Sequence, residues 1–402
     1  MTFDIKSAFL QSNKLDRDVY LTPPKEAEVD QDNVWKLKRC LYGLSDAARQ
    51  FYCSVVECLA KLGCKQSSLD PTLFSKYNNS GKLIGILISH IDDFMHAGSC
   101  EFDETVIRPL TKRFIPGKLE ELQFTYVGFS VSQNDEGIVL NQNAYVDDIV
   151  VPSLSPNRAM QKMKDLELLE QTQLRKLAGK LNWIVQGSRP DMAFELIEIS
   201  MKFKCGRVED LLRAVKAIRK VSQAKSEVLY PSDIGNPVDW RIIVFTDAAH
   251  ANLCDGVSSV RAFVVFLVGP ENICCPLSWS ANKIKRVVRS TIAAETLSLQ
   301  TGIEEAVYLK KMITEILNVE LPVTAVVDNR SLVEALHSTK LIDDKRLRID
   351  ISSIKQSIEI GEIDAVKWCP GIKQLANCMT KKGASGYELL EVFQTGRLSV
   401  TI

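Results

Sequence analysis

The chain has 402 residues, 46% of them hydrophobic and 25% charged, long enough for two or three domains with separate cores. Its 50 basic and 50 acidic residues cancel, so global charge predicts neither a nucleic-acid nor a membrane partner, and any hold on nucleic acid must come from local patches. Eleven cysteines at irregular spacings, no CxxC and four histidines give no zinc-site spacing; they read as reduced thiols of an intracellular protein with no secretory leader and no membrane-spanning run.

The first region reads as mixed α and β. Ser45 is placed to cap a helix whose apolar stripe is Phe51, Val55, Leu59 and Leu62. A hairpin comes next: Thr72-Leu73-Phe74, a turn at Asn78-Asn79-Ser80-Gly81, then the apolar strand Leu83 to Ile91. That strand runs into Asp92-Asp93, and Phe94-Met95-His96-Ala97 is the expected return strand. Paired carboxylates at the end of a buried strand are costly unless a cation neutralises them. Asp4, in Phe3-Asp4-Ile5, is the best partner acid. Asp4, Asp92 and Asp93 would suit two Mg2+ ions, which favour carboxylate oxygen and leave positions for phosphate. On pattern alone, Asp92 and Asp93 read equally well as solvated turn residues.

The texture changes near Pro152. Leu174, Leu177, Leu181 and Ile184 form one helical stripe, and Gly187-Ser188-Arg189-Pro190 breaks it. Helices through Phe194 and Ile197, then Leu211, Leu212, Val215 and Ile218, complete a helical middle segment.

The third region opens with the strand Ile242 to Asp247, followed by strands at Ala262–Val268 and Leu277–Trp279. A long helix is expected after Ser290, then strand Thr324–Val327, helices from Ser331 and around Ile349–Ile358, and strand Val366–Trp368. Strands succeeded by alternating helix and strand predict a mixed sheet covered by helices. Asp247 and Asp328 each end an apolar strand, and Glu295 lies near the start of the long helix. If those strands are neighbours, three acids converge without a histidine, a set suited to metal-assisted phosphodiester hydrolysis. The plainer alternative is that each aspartate merely caps the segment after its strand. Lys283, Lys285, Arg286 and Arg289 precede Glu295 and read either as a phosphate hold or as a solvated loop. Trp279 reads as a base-stacking residue or, more commonly, a core residue.

Taken in order, these segments resemble the polymerase region of copia-type (Pseudoviridae-like) LTR retrotransposons. Asp4-Ile5-Lys6-Ser7-Ala8-Phe9-Leu10 resembles the first catalytic motif, and Val19-Tyr20-Leu21-Thr22-Pro23-Pro24 the stretch after it. Leu41-Tyr42-Gly43-Leu44 matches LYGL, His90-Ile91-Asp92-Asp93 fills the place of YVDD, and Tyr126-Val127-Gly128-Phe129 resembles the later hairpin. Arg189-Pro190-Asp191-Met192-Ala193-Phe194 resembles RPDIAF of the connecting region. Thr246-Asp247-Ala248, Ser278-Trp279-Ser280, Arg289-Ser290-Thr291 with Glu295, and Val327-Asp328-Asn329 resemble the ribonuclease H part.

The resemblance implies a partial reverse-transcriptase palm at 1–135 (an antiparallel sheet plus helices, α+β), a thumb or connection-like helical segment at 136–240, and a ribonuclease H-like α/β domain at 241–402. It implies RNA-directed DNA polymerase and ribonuclease H chemistry with Mg2+ at two-metal sites, acting on RNA, DNA, an RNA–DNA hybrid and dNTPs. Asp4, Asp92 and Asp93 would serve the polymerase, with Asp4 and Asp92 as its main metal ligands. Asp247, Glu295 and Asp328 would be the ligands and hydrolytic acids of the ribonuclease. Phe9 would act as a steric gate under the incoming sugar. Tyr42, Gly43, Lys283, Arg286 and Arg289 would contact substrate. The implied setting is cytoplasm, a virus-like particle or the nucleus.

Tyr145-Val146-Asp147-Asp148 spells YVDD literally but lacks the apolar strand before it, and is read as a helix start. Three departures stand out: His90 replaces the motif's tyrosine, Asn377 stands where an ADIFTK-like segment carries a fourth acid, and Arg348 stands where the family usually has a histidine. The fingers strands expected before Asp4 are absent from the sequence, consistent with a truncated product. A second reading is therefore kept: a catalytically inactive nucleic-acid-binding or interaction protein that retains the fold. A third is a ribonuclease H alone, with the first region as a platform for the hybrid.

Overall fold

The computed structural model describes residues 1–30, 32–340 and 342–399. The chain forms two compact units, Met1–Val127 and Gly128–Ile402.

The first unit contains β1 (Thr2–Ile5), β2 (Tyr20–Leu21), β3 (Trp35–Lys36), β4 (Lys65–Gln66), β5 (Leu73–Tyr77), β6 (Leu83–His90), β7 (Asp93–Gly98), β8 (Pro116–Glu120) and β9 (Gln123–Tyr126). Six of them form one sheet in the order β4-β5-β6-β7-β1-β8, with antiparallel neighbours throughout. The helix Ala47–Lys61 turns Phe51, Val55 and Leu59 toward the sheet, where they pack with Phe3, Leu87 and Phe94. The rings of Phe3 and Phe94 stack across β1 and β7 at 5.1 Å. Ser45 does not cap the helix: the capping position is Asp46, whose carboxylate takes Arg17 at 2.7 Å instead of a helix N–H.

The second unit carries a small antiparallel group, β10 (Phe129–Gln133), β11 (Gly137–Asn141) and β12 (Glu227–Pro231). Its main sheet holds β13 (Arg241–Ala249), β14 (Val260–Val268), β15 (Cys274–Lys283), β16 (Val323–Val327) and β17 (Ala365–Trp368), in the order β15-β14-β13-β16-β17. The β15-β14-β13 pairs are antiparallel, while β13, β16 and β17 run parallel. The sheet is buried on both faces. Ile243 and Phe245 face a core with the helices Leu168–Gly187, Val208–Gln223 and Tyr387–Thr395; Ile242 and Val244 face one with Thr291–Leu317 and Lys345–Glu359. Burial on both sides explains why β13 and β14 read as unbroken apolar runs. Trp279 takes the core alternative: its indole N–H donates to the Val185 carbonyl at 2.8 Å and its ring lies 4.9 Å from Phe393.

All eleven cysteines are free thiols. Among the described residues, no helix is long and apolar enough to cross a membrane.

Candidate active site

The parallel register of β13 and β16 pairs Phe245 with Val326. Two residues further along each strand stand Asp247 and Asp328, so both acids arrive at one level and, by the period of two, on one side. Asp247 does not end its strand as expected. β13 continues to Ala249, because β14 pairs with it as far as Ala249–Val260. Asp328 comes directly after the last residue of β16.

Glu295 comes from the long helix Thr291–Leu317, whose start is capped by the Ser290 hydroxyl accepting from the Ala293 N–H at 3.3 Å. Two small residues bring that helix close to β13. A Cβ on Gly302 would stand 2.4 Å from the Thr246 methyl. The Ser298 hydroxyl lies 2.8 Å from the Asp247 carbonyl and 2.9 Å from that of Ala262. Glu295, Ser298 and Gly302 share one helical face by their spacing, so the close approach carries Glu295 to the aspartates. The three carboxylates each offer an oxygen within 4.8 Å of the others.

Two of the three are deeply buried, Asp247 at 0% and Glu295 at 3% exposure, while Asp328 is half-buried. Glu295 Oε2 is buried with no hydrogen-bond partner. Burial, and then the neighbouring Asp247 and Asp328, push the Glu295 carboxyl up to about 9. Burial likewise pushes Asp247 upward, against the pull of Lys381 and Thr380. Lys381 Nζ lies 3.1 Å from Asp247 Oδ1 and 3.7 Å from Asp328 Oδ2, and it also donates to Asn377 Oδ1. Thr380 Oγ1 donates to Asp247 Oδ2. Burial works to lower the Lys381 ammonium, but Asp247, Asp328 and Glu295 outweigh it and hold the group charged. An all-carboxylate set with one orphaned buried oxygen fits a hard divalent cation, whose charge would hold the acids ionised. Asn377 contributes to it indirectly, by holding Lys381.

In the first unit, Asp93 sits opposite Asp4 on the β1–β7 ladder and opposite His90 on β6–β7. Ile91 and Asp92 form the two-residue turn, with Ile91 at φ 59°, an uncommon conformation for a β-branched residue. Burial, then Asp92 and Asp4, raise the Asp93 carboxyl. Asp4 Oδ1 accepts the Lys118 N–H at 2.5 Å, and a Cβ on Gly117 would stand 2.5 Å from Asp4 Oδ2, so β8 crowds this carboxylate. Among the described residues, Asp247, Glu295 and Asp328 are the one gathered set of three; Asp4, Asp92 and Asp93 do not close into a second.

Phe9 and Tyr42 meet at 4.5 Å between ring centroids, with Gly43 beside Tyr42 at φ 99°. Two of the basic residues before Glu295 are met by acids, Lys283 by Asp255 at 3.5 Å and Arg286 by Asp350. The literal Tyr145-Val146-Asp147-Asp148 lies in the helix Asn143–Asp147 and its turn, with Val146 buried and Asp147 paired to Lys225 at 2.7 Å. Sequence reasoning missed Thr380 and Lys381, whose partner Asp247 lies 133 and 134 residues away in sequence.

Known proteins similar to this chain fall in one group. The family Reverse transcriptase (RNA-dependent DNA polymerase) matches residues 1–157. The chain is 27% identical over 402 residues to the retrovirus-related Pol polyprotein from transposon RE1 of Arabidopsis thaliana, a match that covers 94% of this chain and 26% of that protein. It is 25% identical to the corresponding polyprotein from transposon RE2, with the same two coverages. The chain thus spans about a quarter of the length of the curated relatives it matches. Among solved structures, LC11-RNase H1 in complex with an RNA/DNA hybrid is 16% identical, at a TM-score of 0.26, over 33% of this chain and 88% of that one. Over most of its length the chain is similar to retrovirus-related Pol polyproteins from plant transposons.

Proposed function

We propose that this chain is the reverse transcriptase and ribonuclease H region of a copia-type Pol polyprotein. Residues 1–135 would form the palm, 136–240 the thumb or connection, and 241–402 the ribonuclease H part. The observation that carries the hydrolytic side is the convergence of Asp247 on one strand, Asp328 just past the end of its parallel neighbour and Glu295 on the long helix, Asp247 and Glu295 being buried.

Mg2+ would be held by these three carboxylates, where it would supply Lewis acidity and a water-derived nucleophile for cleaving the RNA strand of an RNA–DNA hybrid. The chain's own groups prepare that site. Thr380 and Lys381 hold Asp247 in one rotamer. Glu295, pushed up to about 9, keeps its proton at neutral pH until a stronger positive field displaces it. On the polymerase side, Asp4, Asp92 and Asp93 would serve a primer–template and dNTPs, with the Phe9–Tyr42 pair beneath the sugar.

One observation favours the alternative of an inactive nucleic-acid-binding protein that retains the fold. The Lys381 ammonium already lies between Asp247 and Asp328 and partly neutralises them. The full chain, given an RNA–DNA hybrid and separately a primed template with dNTPs and Mg2+, decides between the two. Cleavage lost in Asp247→Asn and extension lost in Asp92→Asn support the first reading. Hybrid binding with neither reaction supports the second, and cleavage without extension supports a ribonuclease H alone.

A further inference from the structure

Asp247 on β13 and Asp328 just past β16 lie beyond the last register pair of the two strands, Phe245–Val326. Beyond that point the backbone ladder no longer holds β13 to β16. The carbonyls left there are taken by a side chain from a distant loop. Gln374, 3% exposed, comes just after the turn Gly371–Lys373 and reaches between the two strands. Its Nε2 donates to the Thr246 carbonyl at 3.0 Å and to the Val326 carbonyl at 3.2 Å. Its Oε1 accepts the Ala376 N–H at 3.2 Å. This network settles the orientation of the amide, because two carbonyls demand the NH2 end and a backbone N–H demands the oxygen.

Thr246 immediately precedes Asp247, and Val326 lies two residues before Asp328. We infer that Gln374 is a positioning residue: its buried carboxamide clamps the diverging ends of β13 and β16 and sets the spacing of the two aspartates. Ala376, which orients the amide, directly precedes Asn377, the residue that holds Lys381. One short loop therefore reaches the cluster twice, by the strand carbonyls and by the ammonium. The inference rests on the reading of Asp247, Glu295 and Asp328 as a cation site.

A leucine at 374 keeps the volume and removes both donors. A glutamate keeps the shape but turns an anion toward two carbonyls. The experiment measures Mn2+ binding to the full chain by electron paramagnetic resonance, alongside thermal unfolding. Gln374→Leu is expected to weaken Mn2+ binding about tenfold, the size of effect typical when a group orienting a metal ligand is lost, and Gln374→Glu at least as much. Val228→Ala, a fully buried truncation on β12, is the control for lost stability. It should lower the melting temperature while leaving Mn2+ affinity within about twofold, as expected of a distant site. Wild-type affinity in Gln374→Leu overturns the inference. Asp247→Asn separates the two layers. If it abolishes Mn2+ binding while Gln374→Leu does not weaken it, the clamp alone fails; if Asp247→Asn binds as wild type does, the cation site fails and the clamp with it. Should the variants not fold, hydrogen exchange on the wild-type chain decides. The Gln374 side-chain NH2 is expected to be strongly protected, and free exchange overturns the clamp.

Discussion

The two units gather carboxylates in opposite ways. In the first, two acids are neighbours in sequence at a hairpin turn, and the third faces Asp93 from an adjacent strand. All three stay partly exposed, and Asp4 is engaged by the β8 backbone. In the second, the acids are far apart in sequence, yet they meet within 4.8 Å, two of them buried and Asp328 half-buried. Adjacency in sequence is therefore a poor guide to a closed ligand set. What closes the set is support: a helix allowed close by Gly302 and Ser298, and the buried Thr380 hydroxyl with the half-exposed Lys381 ammonium, which offset the cost of burying charge.

The sharpest way to break this comparison is Asp247→Asn in the full chain. Its loss of hybrid cleavage should be about a thousandfold or more, since several kcal/mol of charge stabilisation disappear, while Asp92→Asn should leave cleavage intact. Quenched-flow measurement of RNA-strand scission reads both. A smaller effect is expected from Gly302→Val, which forces the long helix away from β13. Overpacking of this kind costs about 1–3 kcal/mol, seen as a lower urea midpoint, and cleavage should fall with it. Gly117→Ala is its counterpart in the first unit. The added methyl meets the Asp4 carboxylate, so the effect should appear in primer extension and not in hybrid cleavage.

A further prediction concerns pH. The folded-state Glu295 carboxyl is raised from the ordinary 4.5 to about 9. Between those values the folded chain binds more protons than the unfolded chain. Its contribution to stability is therefore complete below pH 4.5 and is lost as pH rises toward 9. In metal-free buffer the melting temperature should fall across that interval, and Glu295→Gln should flatten the fall. A slope that Glu295→Gln leaves unchanged would place the responsible proton elsewhere. The smallest effect is expected from Lys283→Ala. Asp255 already meets that ammonium, so the salt dependence of hybrid binding should change by less than the slope of about one that a full phosphate contact gives.

The hairpin around Asp92-Asp93, the helix Leu168–Gly187 and the run in β13 were legible because each obeys a simple period or a turn signal. The convergence of Asp247, Glu295 and Asp328 was legible as a condition, that β13 and β16 be neighbours, which their parallel pairing meets. The far end of β13 was not legible, because Thr246 and Asp247 look like the end of an apolar run. Only pairing with β14 and burial under the long helix carry the strand past them. Gln374, Thr380 and Lys381 were also out of reach. Their partners lie 48 to 134 residues away in sequence, and no local pattern encodes such contacts.

The most direct test of the account is a crystal of the full chain grown with Mn2+ and probed by anomalous scattering. The account predicts a peak bounded by carboxylate oxygens of Asp247, Glu295 and Asp328, with Glu295 Oε2 newly engaged. Well-ordered carboxylates with no peak among them at saturating Mn2+, and Lys381 still lodged against Asp247, would contradict it.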